Sequence, residues 1–336
     1  MANEITFSPS GKTCEIEENE TVLQASLRAG MTPAYGCSNG NCGECKAVLK
    51  SGEVEQVRHF DYRFTPQEKQ DGCFLMCTNR ALTDLTIEAD VTQGPESVPF
   101  QSIETKVKSI TPLDPQVIQL HLQTPRSQRL RFIAGQSVTL TAGDGSSTIL
   151  PIASCPCDDR NLLFHIPNNP VDPFCENMFS GALKTRQTVL LEGPVRDAFV
   201  LDDSDIRPSL ILCWHTGFAP VISLIEHAMS LELEKEIRLI RFSPTPDNQY
   251  LSNLCRSWAD AYDNISVDLM PQRISLLSPV DQCAGILQDI ADACADLANT
   301  NVYVSAPPNF TEAAQQVFDD LNPDQLRTRT DWRDLF

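Results

Sequence analysis

The sequence predicts three units in series: a small α+β unit around a cysteine loop, an antiparallel β-barrel, and an α/β unit with a parallel sheet. Three observations predict this order. Cys37, Cys42, Cys45 and Cys77 fall in an early stretch of short strand-like runs with one helical segment. Short β-patterned runs punctuated by Pro and Gly then fill residues 100–203. From residue 206, apolar strands alternate with amphipathic helices, the pattern of crossover connections in a parallel sheet. A chain of 336 residues accommodates three such units.

In the first unit, residues 1–92, Ile5 and Phe7 alternate, as do Cys14 and Ile16. SPSGK between them reads as a hairpin turn. Asn19 is the expected cap of a helix from Thr21 to Ala29, with Gly30 as its stop. Ala47, Val48 and Leu49 continue into a strand, and LTDLTIEADV, residues 82–91, alternates again. Between these lies YGCSNGNCGECK, in which Cys37, Cys42 and Cys45 have the spacing C-x4-C-x2-C. Cys77 follows in GCFLMCTNR. This is plant-type [2Fe–2S] spacing: two irons need four thiolates, three of them here from one loop. Gly36, Gly40 and Gly43 would let that loop turn tightly. Zinc is the alternative for CxxC spacing. No second knuckle is present, although Cys73 and Cys77 form a CxxxC pair.

TQGPESVPF, residues 92–100, reads as a linker. Strand-like runs follow at 103–110, 117–124, 131–143, 162–167 and 188–194. In the third unit, residues 206–336, SLILCWHTGFAP reads as a buried strand and turn, and VISLIEHAMSLELEK as a helix. IRLIRFSP and NVYVSAPP are further strands. Residues 281–298 and FTEAAQQVFDDL are further helices. The tail RTRTDWRDLF offers Trp332, Leu335 and Phe336 to a partner or to its own domain.

The formal net charge is −19, and both the first 95 residues and the remainder are acidic. Such a field disfavours nucleic acid and anionic membranes, and suits either solubility or docking on a basic patch of a redox partner. No apolar run approaches a membrane span, the N-terminus lacks a signal-peptide pattern, and the expected compartment is the cytoplasm. Of 13 cysteines, the nine outside the cluster set are expected to be buried hydrophobes or loop thiols. Cys155 and Cys157 make a poor metal site alone.

The cysteine loop with its flanking strands resembles a plant-type ferredoxin domain of β-grasp fold, with Ser38 where that family often has Arg. The whole order resembles the reductase components of bacterial oxygenases and the CDP-glucoseen reductases. The resemblance implies an FAD-type barrel and an NAD(P)-type α/β domain. It also implies a route in which NAD(P)H reduces FAD, and FAD passes single electrons to the [2Fe–2S] cluster and on to a partner enzyme. FIAGQSV, residues 132–138, matches the family's barrel entry, and Ile152, Ala153 and Ser154 match the end of its flavin signature. Elsewhere the sequence departs. The Arg, Tyr and Ser of that signature are Thr148, Leu150 and Pro151. These lack the charged fork, the π face and the N5 hydrogen bond. The Gly-x-x-Ser loop is Asn177 to Ser180, with Ser180 kept as the FAD-type candidate. The Gly-Thr-Gly-x-Ala-Pro turn is His215 to Pro220, with Thr216, Gly217 and Pro220 kept as NAD(P)-type candidates. The late Cys-Gly-Pro-Pro is Ser305 to Pro308, and Tyr-Gly-x-Arg is Arg241 to Pro244.

The expectation is therefore a [2Fe–2S] electron-transfer protein serving a partner enzyme without its own working flavin or NAD(P)H site. Two alternatives stand beside it: an active NAD(P)H-dependent reductase with an atypical FAD site, and a non-catalytic redox-sensing or complex subunit.

Overall fold

The computed structural model describes residues 3–92, 98–195, 199–202, 205–244, 249–271, 275, 278–321 and 325–330. In the first unit β1 (Asn3–Ser8) and β2 (Lys12–Ile16) form the expected hairpin, with the Gly11 amide donating to Phe7 O at 2.7 Å. Then come α1 (Val22–Arg28), β3 (Thr32–Pro33), β4 (Lys46–Ser51), β5 (Val54–Gln56), α2 (Pro66–Gln70), β6 (Cys73–Leu75), β7 (Asn79–Ala81), β8 (Leu85–Glu88) and β9 (Val91–Thr92). The main sheet has order β2-β1-β8-β4-β6, with β1 and β8 parallel. Val22, Leu23 and Ala25 of α1 share its core with Ile5, Phe7 and Ile87. The cap of α1 is Thr21, not Asn19. Thr21 Oγ1 accepts from the Gln24 amide while Gln24 Oε1 accepts from the Thr21 amide, a reciprocal box that Asn19 stands too far back to make.

The second unit holds β10 (Gln101–Asp114), β11 (Val117–Gln123), β12 (Ser137–Ala142), β13 (Ser147–Pro151), β14 (Asn161–Pro167), α3 (Pro173–Phe179) and β15 (Thr188–Val195). Its antiparallel order is β13-β12-β15-β10-β11-β14, a half-barrel closed over one apolar core. The strand expected at 131–143 begins only at Ser137. Gly135 turns the chain at φ +92°, and the Gln136 amide donates to Ile133 O at 3.1 Å. The seven-residue α3 is a further element beyond those expected.

The third unit is β16 (Ser209–Trp214), α4 (Phe218–Ser230), β17 (Ile237–Ser243), α5 (Ser252–Ala261), β18 (Ile265–Pro271), α6 (Val280–Asp292), β19 (Asn301–Ala306), α7 (Pro308–Val317) and β20 (Leu326–Thr330). Its parallel order is β18-β17-β16-β19-β20. Phe218 and Val221 of α4 and Trp258 of α5 pack on one face, and Leu287 of α6 and Phe310 of α7 on the other. The helix expected over 281–298 ends at Asp292, and a separate short turn follows at Leu297–Asn299. Part of the C-terminal tail is structural, because Arg327–Thr330 continue the edge strand β20. Trp332, Leu335 and Phe336 lie outside the described residues. No helix among the described residues is long and apolar enough to cross a membrane.

The half-barrel and the α/β unit share a core, in which Val117 and Ala134 pack with Ile222 and Leu224. Ser223 Oγ on α4 donates to Ser154 O at 2.8 Å across the same junction. Replacing Thr21 by Ala removes one half of the α1 box and should cost about 1 kcal/mol, read as a lowered urea midpoint with unchanged slope.

Candidate metal centre and nucleotide-type crevice

The cysteine loop runs between α1 and β4. Gly40 (φ +85°) and Gly43 (φ +78°) make its left-handed turns, and a Cβ on either would sit 2.5 Å from Phe60 Cβ or 2.1 Å from Tyr62 Cε2. Phe60 and Tyr62 each meet Phe64 edge to face, so an aromatic wall presses the loop shut. Cys37, Cys45 and Cys77 are each 1% exposed, and Cys42 is half-buried. The Met76 amide donates to Cys45 O at 2.9 Å, which brings the segment bearing Cys77 onto the loop.

The four thiols sort into two hydrogen-bonded pairs, Cys37 with Cys42 and Cys45 with Cys77. Two thiols per iron is what a binuclear cluster requires. The Asn41 and Cys42 amides donate to Cys37 Sγ at 3.3 Å, and the Glu44 amide to Cys42 Sγ at 3.4 Å. Burial raises the Cys37 thiol pKa, yet the Asn39, Cys42 and Asn41 amides outweigh it and leave the pKa below the usual thiol value. Cys77 is likewise lowered, first by the Cys45 hydrogen bond and then by the Gly40 amide against burial. These donor-lined, buried sulfurs fit a [2Fe–2S] cluster.

The loop also touches the half-barrel. The Arg129 amide donates to Gly36 O at 2.8 Å. The Asp159 carboxylate stands 3.7 Å from the Arg129 guanidinium and pairs with the buried Tyr35 hydroxyl.

On the half-barrel, the positions that depart from the flavin signature are occupied from within. Thr148 Oγ1 donates to Asp172 Oδ2 at 2.6 Å. Asp172 caps α3, its Oδ1 accepting from the Phe174 and Cys175 amides at 2.8 and 3.0 Å, and Pro173 at the next position has no amide. The amides at this helix start are thus engaged by the chain's own carboxylate. Leu150 is buried in the same core as Phe174 and Met178. Ser180 lies at the other end of α3, where its hydroxyl donates to Asn177 O at 3.4 Å. Asn177 is held in turn by Asp144.

In the α/β unit the strand order reverses between β16 and β19, where an open sheet of this kind offers a ligand crevice. Gly217, Thr216 and His215 stand at its mouth. A Cβ on Gly217 would lie 2.2 Å from Ser305 O, so the two turns close on each other there. Thr216 and His215 are buried, and Pro220 sits within the first turn of α4, where its missing amide costs nothing. His165, from β14 of the half-barrel, meets Tyr250 with Nδ1 3.2 Å from the hydroxyl, and that hydroxyl donates to His215 O at 3.3 Å. The Arg241 guanidinium lies 3.8 Å from the Phe218 ring centre and 4.6 Å from that of Tyr250. The sequence reading did not anticipate His165, Tyr250, Asp172, Tyr35 or Asp159. Only Asp172 carried a local signal, an Asp before a Pro at a helix start.

Residues 5–82, most of the first unit, match the 2Fe-2S iron-sulfur cluster binding domain. The chain is 30% identical over 267 residues to the CDP-6-deoxy-L-threo-D-glycero-4-hexulose-3-dehydrase reductase of Yersinia pestis, covering 79% of this chain and 78% of that protein. It belongs to the iron–sulfur ferredoxin-reductase family. Within that family it is also 27% identical over 325 residues to the propane 2-monooxygenase reductase component of Gordonia sp. (strain TY-5), covering 93% and 91% of the two chains. The Amycolatopsis cytochrome P450 reductase GcoB shares the fold of this chain with a TM-score of 0.60 at 21% identity, over 98% of each chain. Phthalate dioxygenase reductase, with a TM-score of 0.55, covers 71% of this chain and 70% of its own.

Burial first, and the Arg241 charge second, lower the His165 pKa from 6.5 to about 3 and the His215 pKa to about 4. The unfolded chain binds these protons at higher pH, so their contribution is full above about pH 6.5 and is lost as pH falls through about 4 for His215 and about 3 for His165. Thermal unfolding followed over that range should show a steep acid loss, and His165→Gln should make the loss shallower.

Proposed function

We propose that this ferredoxin-reductase homologue is a one-electron relay that serves a partner oxygenase or dehydrase and is itself reduced by an outside electron donor. Cys37, Cys42, Cys45 and Cys77 would hold the [2Fe–2S] cluster. When bound, such a cluster supplies reversible one-electron transfer at about −400 mV, adjusted by hydrogen bonds and exposure. The Asn41, Cys42 and Glu44 amides favour the thiolate forms and stabilise negative charge on the sulfurs. Phe60, Tyr62 and Phe64 help exclude water from the loop. The acidic surface would steer the chain to a basic face of its partner, with salt-sensitive association.

The observation that carries the outside-donor reading is Asp172. A carboxylate holding the first amides of α3, beside Thr148, opposes a flavin pyrophosphate by charge and by occupancy. Leu150 offers no stacking face, and the buried His215 adds bulk where the family's turn has glycine, which opposes a dinucleotide in the same way. A second reading, a self-contained NAD(P)H-dependent reductase, is favoured by the retained FIAGQSV entry and by relatives named as reductase components.

Iron and acid-released flavin measured on anaerobically purified protein separate the two. The relay reading expects about two irons per chain and no flavin. Stoichiometric FAD would overturn it. Cys77→Ser should abolish the visible cluster absorbance and most of the iron.

A further inference from the structure

Cys155 and Cys157 are bonded to each other, with Cα atoms 5.2 Å apart across Pro156. The sequence shows the two as close neighbours that make a poor metal site alone, and their bond is not among its expectations. The pair is asymmetric: Cys155 is buried at 6% exposure and Cys157 is exposed. The Cys157 amide donates to Cys155 Sγ at 3.2 Å, so the buried sulfur has a fixed donor that would stabilise it as a thiolate.

The disulfide is embedded in the turn that seats the cluster loop. The Asp158 amide donates to Cys155 O at 3.1 Å, and Asp158 Oδ1 accepts from the Arg160 and Asn161 amides at 3.3 and 3.1 Å. Asp159, two residues beyond Cys157, presents its carboxylate to Arg129 at 3.7 Å and to Tyr35. Arg129 in turn holds Gly36 O, one residue before Cys37. A short, continuous path of covalent and hydrogen bonds therefore joins the disulfide to the start of the cluster loop.

We propose that Cys155 and Cys157 form a thiol–disulfide redox site, reducible by a dithiol, whose state sets how firmly the cluster loop is held on the half-barrel. The reductant's thiolate attacks the exposed Cys157 sulfur, the S–S bond breaks, and Cys155 leaves as a thiolate that accepts the Cys157 N–H and then takes a proton from water. The reductant's second thiolate attacks the mixed disulfide and releases Cys157, which is protonated likewise. The protein gains two electrons and two protons, and the dithiol becomes a cyclic disulfide. Opening the ring restores freedom to residues 155–157 and loosens the turn that orients Asp159. This site is independent of the flavin question.

The test uses the full iron-loaded chain with dithiothreitol as the dithiol. Alkylation and peptide mapping should find Cys155 and Cys157 unlabelled in protein pretreated with oxidised dithiothreitol, and both labelled after reduction. Hydrogen exchange of the Arg129 amide and of residues 35–41 should quicken several-fold on reduction, with the cluster absorbance as a check that the cluster persists. The Cys155→Ser, Cys157→Ser double variant should exchange at the fast rate with or without dithiol. Labelling of both cysteines in the oxidised sample would overturn the site. Equal exchange in the two redox states, or a double variant that still responds to dithiol, would overturn its link to the cluster loop.

Discussion

Four thiols must reach one small volume, and the backbone must bend sharply to bring them there. Everything around the first sheet serves that constraint. Gly40 and Gly43 take left-handed turns that a side chain would block, and Phe60 and Tyr62 occupy the space that their missing Cβ atoms leave. The Met76 amide to Cys45 O brings the fourth cysteine onto the loop. The loop is then seated on the half-barrel through Arg129 and Gly36. A cluster environment of this kind sets potential through amide donors and exclusion of water, and sets partner access through the face that remains open.

The body of the molecule keeps the family architecture, and the residues at the positions that depart from the family's motifs are held by local contacts. At the half-barrel, Asp172 satisfies the start of α3, a task that a bound anion can also perform. At the parallel sheet, Gly217 is required by the carbonyl of Ser305, a packing reason that stands without a dinucleotide. His165 and Tyr250 link the half-barrel to the α/β unit through a buried polar contact, and Arg241 is accommodated by two aromatic faces. Together these contacts make the two larger units one packed body.

The order of the three folds was legible because each rests on local pattern: cysteine spacing, alternation in strands, and helix periodicity. The grouping of the four cysteines was legible for the same reason, three of them lying within nine residues. Boundaries slipped where a side-chain bond decided them, as when Thr21 and Gln24 displaced Asn19 as the start of α1. The helix α3 was missed although Asp172 and Pro173 announce its start, because seven residues carry little periodicity. The His165–Tyr250 contact joins residues 85 apart, and the seat of the cluster loop joins Tyr35 to Asp159, so neither leaves a local trace. The departures from the family motif at Thr148 and Leu150 stand in the sequence, whereas the carboxylate that meets Thr148 required the fold.

The most direct test of the outside-donor account is electron paramagnetic resonance of the cluster under anaerobic conditions, after incubation with excess FAD and either NADH or NADPH. The account expects no reduced-cluster signal from either nucleotide and a full signal from dithionite. A reduced-cluster signal raised by NADH or NADPH, without dithionite, would contradict it.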